Sequence, residues 1–188
     1  ELQLKDLETV ENRIKRVEKI AQVGNDKNAK VEYGVLTAIR EALLEGKNAR
    51  SVVFESKDEQ AAARNLFLLT SKPVLYVCNV DEGSAVSGNE YVERVREAVA
   101  PEGAEILVVA AQTEADIAEL ETFEERQEFL KDVGLEESGV NRLIKAAYKL
   151  LDLETFITAG EIEVRAWTYK RGWKAPQCAG VIHTDFEK

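Results

Sequence analysis

Apolar positions near the start of the chain recur at intervals of three and four. Between Leu4 and Ala21 they run Leu7, Val10, Ile14, Val17 and Ala21, with Glu, Lys and Arg filling the other faces. That spacing is the seam of a coiled coil. The cluster "GNDKN" from Gly24 to Asn28 follows, rich in turn formers, with Gly24 available as a helix stop. A second stripe then runs through Val31, Val35, Ala38 and Ala42, with Leu36, Ile39 and Leu43 beside it, and Gly46 ends it. Two such helices around a short polar turn predict an antiparallel hairpin. The pattern alone also fits two helices of a plain bundle.

Further on, "DEQAAARNLFLLT" over 58–70 predicts a helix with Asp58 as its N-cap. Pro73 opens "VLYVCNV", a continuous apolar run of strand length that suits a parallel strand buried on both faces. Tyr91 to Val99 reads as a helix and "EILVVAA", Glu105 to Ala111, as a second buried strand. Strand, helix, strand, helix in that order predicts an α/β, doubly wound parallel sheet. Amphipathic helices are expected over Glu114–Leu130 and Gly139–Leu151. From Ile162 the chain changes to β-formers and turn glycines and ends after a strand-like segment, which reads as the start of a small β-containing module.

Composition narrows the classes. With 188 residues, 45% apolar and 32% charged, the chain is long enough for one domain with an appendage and is not a disordered polyelectrolyte. A net charge of −10 argues against the whole surface being a nucleic-acid platform, so DNA is not an expected partner, although a local basic patch remains open. Cys78 and Cys178 stand far apart with no second ligand pair, which fits reduced thiols in a cytoplasmic protein and no metal site. No apolar run of about 18 residues offers a membrane span. The chain has no methionine and opens on Glu1 inside a helical pattern, so both ends are expected to be cut.

Ligands of an open α/β sheet sit beyond the carboxyl ends of its strands. After the first strand those positions are Asn79, Val80 and Glu82; after the second they are Ala110, Ala111 and Gln112. In isolation "NVDE" is as well read as a polar turn following a strand. In company it resembles something specific. "NVDE" at Asn79–Glu82, "AAQTEADIAEL" at Ala110–Leu120, "GLEESGVNRLIKAAYKLLDL" at Gly134–Leu153 and "TAGEIEVRAWTYKRGWKAPQCAGVIHTDFEK" at Thr158–Lys188 are similar to the YchF (Obg-like) subfamily of P-loop NTPases. The resemblance covers essentially the whole chain, and the helical hairpin fits the coiled-coil insertion of that family.

The resemblance implies a fold: a partial P-loop NTPase sheet with a helical-hairpin insertion and the start of a TGS domain. It divides the chain at about 1–50 (hairpin), 51–155 (C-terminal part of the nucleotide domain) and 156–188 (partial TGS). It implies that Asn79, Val80, Glu82, Ala110, Ala111 and Gln112 contact the nucleotide base. In GTPases the first loop is Asn-Lys-x-Asp, whose aspartate pairs with two guanine nitrogens. Glu82 adds a methylene at that position and Val80 replaces the lysine that covers the base. Losing a bidentate charged contact removes much of the discrimination for guanine, and the family likewise prefers ATP to GTP. The implied whole protein hydrolyses ATP with Mg2+ and binds the ribosome or its RNA. The alternative is a non-enzymatic interaction module with a vestigial base site. These 188 residues contain no G-x-x-x-x-G-K-[ST] sequence. No catalytic residue is therefore expected among them, and the segment alone is expected to be inactive.

A second surface is legible near the end. Val164 to Thr184 carries Arg165, Lys170, Arg171 and Lys174, no acidic residue, and the aromatics Trp167, Tyr169 and Trp173. Cations interleaved with aromatics suit RNA backbone contact and base stacking, and the TGS resemblance points the same way. Trp167 alternates ambiguously and reads equally as core. His183, with no carboxylate–nucleophile arrangement around it of the kind a catalytic triad needs, reads as structural.

Overall fold

The computed structural model describes residues 1–23 and 26–187, so the expected helix stop at Gly24 lies outside the described residues. The chain divides into two compact units, Glu1–Pro73 and Val74–Lys188.

The first unit is the hairpin with a buttress. Helix α1 spans Leu2–Val23 and α2 spans Lys27–Leu44, capped by Asp26, whose carboxylate accepts the N–H groups of Asn28 and Ala29. Val10, Val17 and Ala21 are buried against Val35, Leu36, Ile39 and Leu43. The seam on α2 is therefore rotated from the expected one, since Val31 and Ala38 are only half-buried. The reason is that α2 packs on two sides: α1 covers one, and α3 (Lys57–Arg64) with the segment around Ala49 and Leu68 covers the other. The helix expected over 58–70 is shorter than its apolar pattern. Its cap is Ser56, not Asp58, closing a capping box with Glu59. Phe67 then takes a positive φ of 51° and the chain passes into a 3-10 turn at Leu69–Ser71.

Asp6 anchors that turn. Its carboxylate, 2% exposed, accepts Leu69 N–H at 2.8 Å, Thr70 N–H at 2.7 Å and Thr70 Oγ1–H at 2.7 Å. Thr70 Oγ1 in turn accepts Ala49 N–H at 3.0 Å. A buried carboxylate with three donors is satisfied, and it ties α1 to a segment more than sixty residues away.

The second unit is α/β. Strand β1 (Leu75–Asn79) pairs in parallel with β2 (Glu105–Val109), from Leu75 opposite Glu105 to Asn79 opposite Val109, with α4 (Glu90–Val99) as the crossover. β1 is not buried on both faces as its apolar run suggested: Val77 is 49% exposed. Among the described residues this sheet has two strands, and α7 (Gly139–Leu150) packs against both of them. The long helix expected over Glu114–Leu130 is two, α5 (Ala111–Glu119) and α6 (Phe123–Asp132). Thr122 breaks it by capping α6, with Glu125 completing the capping box.

After α7, Asp152 adopts φ 56° and turns the chain into β3 (Leu153–Ala159), well before the change expected at Ile162. β3 pairs antiparallel with β4 (Val164–Lys170). The strand-like segment expected near the end is a helix, α8 (Ala175–Ile182), followed by a 3-10 turn. Pro176 in its first turn and Gln177 bonding back to Lys174 N–H are the helix-start features that the apolar content concealed.

Candidate nucleotide-base site

The carboxyl ends of β1 and β2 lie side by side because their register is unshifted, so the two loops leaving them meet. Val80 extends the pairing by one residue, its N–H donating to Val109 O at 2.9 Å. Asn79 then bridges the loops: its Oδ1 accepts the N–H of Ala111 at 3.0 Å. The N-cap position of α5 is Ala110, which has no side chain able to cap the helix, so the cap comes from the neighbouring strand.

Two adjacent acids follow Val80, and the structure separates their roles. Asp81 is occupied as the cap of the 3-10 turn Glu82–Ser84, accepting Ser84 N–H at 3.0 Å and Ser84 Oγ–H at 2.9 Å. The Glu82 side chain is exposed, with no hydrogen-bond or ion-pair partner among the described residues. Of the second loop, Ala110 is buried and Ala111 and Gln112 are exposed. The Gln112 amide donates to Asp116 Oδ1 at 3.0 Å, which directs the side chain along α5. The structure thus brings Asn79, Val80, Ala110 and Ala111 into one hydrogen-bonded junction, with Glu82 on the adjoining turn.

Residues invisible in the linear pattern hold this junction from behind. Glu114, one turn into α5, accepts the N–H groups of Gly139 at 2.5 Å and Val140 at 3.3 Å, so it serves the α7 N-terminus alongside Ser138. Arg142 reaches back from α7, donating to Val108 O at 3.0 Å. A Cβ on Gly139 would stand 2.8 Å from Glu114 Oε1 and 3.0 Å from Val109 Cγ1, so a larger residue there must displace both side chains. Partners 25 and 34 residues apart leave no periodic trace in a sequence.

At the basic surface, β4 alternation puts Arg165, Trp167 and Tyr169 on one face. The Arg165 guanidinium lies 4.1 Å from the Trp167 ring centroid, and the indole N–H donates to Thr158 Oγ1 at 2.9 Å. Trp167 is half-buried and satisfied. Tyr169 donates to Glu154 Oε2 at 2.7 Å, and that bond raises its phenol above the ordinary value. Arg171 is paired with Glu154 at 3.2 Å and Asp152 at 3.5 Å, acids contributed by the partner strand and the turn before it. Lys170 and Lys174 are exposed, and Trp173 is 40% exposed. Lys174 precedes α8, its backbone N–H donating to Gln177.

Among the described residues no group of three His, Cys, Asp or Glu side chains could hold a metal ion, and no helix is long and apolar enough to cross a membrane. The side chains of the described residues do not make a Mg2+ site.

Residues 153–188 match the family model YchF-GTPase_C, described as a protein of unknown function (DUF933). The ribosome-binding ATPase YchF of Bacillus subtilis (strain 168) is 54% identical over 190 residues, covering all of this chain and 51% of that protein. The Escherichia coli O157:H7 protein of the same name is 50% identical, again over all of this chain and 51% of its own length. Obg-like ATPase 1 of Rattus norvegicus is 38% identical over all of this chain and 48% of its own length. The solved structure of the Schizosaccharomyces pombe YchF GTPase superposes with a TM-score of 0.86 at 31% identity, over 99% of this chain and 50% of that one. The chain spans about half the length of the curated relatives it matches. Over its whole length the chain is thus similar to about half of the YchF and Obg-like ATPases.

Proposed function

We propose that these residues supply the base-reading loops and the coiled-coil arm of a ribosome-binding nucleotide hydrolase that prefers ATP to GTP. The observation that carries the reading is the Asn79–Ala111 hydrogen bond, which fuses two loops at the carboxyl edge of a parallel pair, where α/β proteins bind ligands. In this reading the base lies against Val80 and the turn Ala110–Gln112. Glu82 replaces the aspartate that would pair with guanine. Phosphate and Mg2+ contacts come from outside these residues, so the 188-residue chain alone binds nucleotide no better than millimolar. The relatives' names support hydrolysis and ribosome binding but differ over the base, ATPase for the bacterial and rat proteins and GTPase for the yeast structure. A ribosome-bound protein works in the cytoplasm. The proposed division is arm at about 1–50, nucleotide-domain portion to about 155, and partial TGS module over 156–188, the last offering Arg165, Lys170, Arg171, Trp173 and Lys174 to RNA.

The test is competition binding in a protein that joins this segment to its phosphate-binding part. Glu82→Asp with Val80→Lys should move the ATP/GTP ratio toward GTP by roughly 10-fold to 100-fold, the worth of a recovered bidentate pair. An unchanged ratio would place base reading elsewhere. Micromolar ATP binding by the 188-residue chain alone would overturn the division of labour.

A further inference from the structure

Cations along the hairpin change from paired to unpaired. Toward its open end Lys5 pairs with Glu8, Arg13 with Glu32, Arg40 with Glu11 and Lys47 with Glu45, at 2.5–3.4 Å. Toward the turn, Lys15, Arg16, Lys19, Lys27 and Lys30 are all exposed and have no ion-pair partner among the described residues. The two carboxylates within 15–30 are engaged otherwise. Glu18 accepts the Gln22 amide at 3.1 Å, and Asp26 is turned onto the α2 N-terminus, accepting Asn28 and Ala29 N–H. Five cations against these two acids leave the distal arm at +3 in a chain of −10.

We infer that the distal end of the arm docks on the phosphate backbone of a structured RNA. The inference rests on the ribosome-binding reading above and names the surface that makes the contact. A local excess of cations attracts a polyanion even where the chain as a whole is acidic. The dimensions fit: Lys15 to Val23 covers about 12 Å of helix, and a duplex passes about one phosphate charge per 1.7 Å. The first aromatic of the arm is Tyr33, half-buried beyond the patch, so the tip has no stacking platform for unpaired bases. Phosphate contact without base contact gives register and affinity but no sequence preference. An acidic protein surface is the competing partner, and it lacks the regular charge density that a row of spaced cations matches.

The experiment is fluorescence anisotropy of the 188-residue chain with a 24-base-pair RNA duplex between 50 and 200 mM salt. About 0.9 of log–log slope is expected per neutralised phosphate, so five contacts weaken binding roughly 500-fold across that range. Lys15→Gln, Lys19→Gln, Lys27→Gln and Lys30→Gln together should cut this to about 3-fold to 4-fold, and glutamine keeps the helix propensity. Arg13→Gln with Arg40→Gln, removing paired cations, should leave the slope in place. An unchanged slope in the quadruple variant, or an equal loss in the paired-arginine variant, overturns the inference. So does equal competition by polyglutamate, which would make the partner a protein. Ribosome co-sedimentation separates the two readings. Loss of sedimentation only in the quadruple variant supports the tip, full retention by that variant overturns the tip alone, and no sedimentation of the parent chain overturns the ribosome reading.

Discussion

Asn79 caps a helix to which it does not belong: its side-chain oxygen holds Ala111 N–H at 3.0 Å across a gap of 32 residues. Asn79→Ala should therefore cost about 1 kcal/mol, as loss of an N-cap does. The loss should be local, with faster hydrogen exchange at Ala111 and Gln112 and little change at Val77 and Cys78 in the strand. Uniform loss of protection through both strands would show that the bond supports the sheet and not the loop.

Gly139 sits where α7 meets β2 and the Glu114 carboxylate. Gly139→Ala should destabilise by about 1–3 kcal/mol, because the added carbon displaces a carboxylate and presses on Val109. Glu114→Gln keeps the volume and should cost less. Urea denaturation of both variants checks the order; a neutral Gly139→Ala would mean that α7 shifts freely against β2.

Removing the Asp6 carboxylate leaves two buried donors of Thr70 and the part-buried Leu69 N–H unpaired. Asp6→Ala should cost roughly 2–4 kcal/mol, above most single substitutions. Because Glu1–Pro73 is a unit with its own core, exchange should accelerate on α1 and around Thr70 while β1 keeps its protection. Equal acceleration at Leu75–Cys78 would make the chain one cooperative body.

Within the hairpin the ranking is set by burial. Val10 is 0% exposed, whereas Ile14 is only partly buried. Val10→Ala should cost about 2 kcal/mol and Ile14→Ala about 1–2 kcal/mol, despite the larger side chain of Ile14. Thermal unfolding of the pair decides it; a costlier Ile14→Ala would place the seam on the other stripe.

The capping box of α6 carries a pH signature. Hydrogen bonds from Thr122, backbone first and side chain second, hold the Glu125 carboxyl below its ordinary value of 4.5. Its stabilisation is complete above that ordinary value and is lost as pH falls through the lowered one, when the protonated carboxyl no longer accepts Thr122 N–H as strongly. An NMR titration should show α6 amides near Glu125 losing protection below pH 4.5. The Thr122→Ala variant should return the Glu125 midpoint toward 4.5.

What the sequence determined by itself was whatever has a short period or a local rule. The three-four spacing of Val10, Ile14, Val17 and Ala21 made the hairpin, and two apolar runs with a helix between them made the parallel pair. The loops that leave the two strands at their carboxyl ends followed from the same order of elements. The tertiary structure decided which faces are buried. Leu36 and Ile39 outrank Val31 and Ala38 because a third helix packs on α2, and no periodicity announces a second partner. It also decided between adjacent like residues: Asp81 is taken up as a cap and Glu82 is left exposed, although the two look equivalent in "NVDE". The supports of the loop junction, Glu114, Gly139 and Arg142, lay beyond sequence reasoning for the same reason. Their partners are 25 or more residues away, and only chain folding brings a carboxylate to another helix's N-terminus.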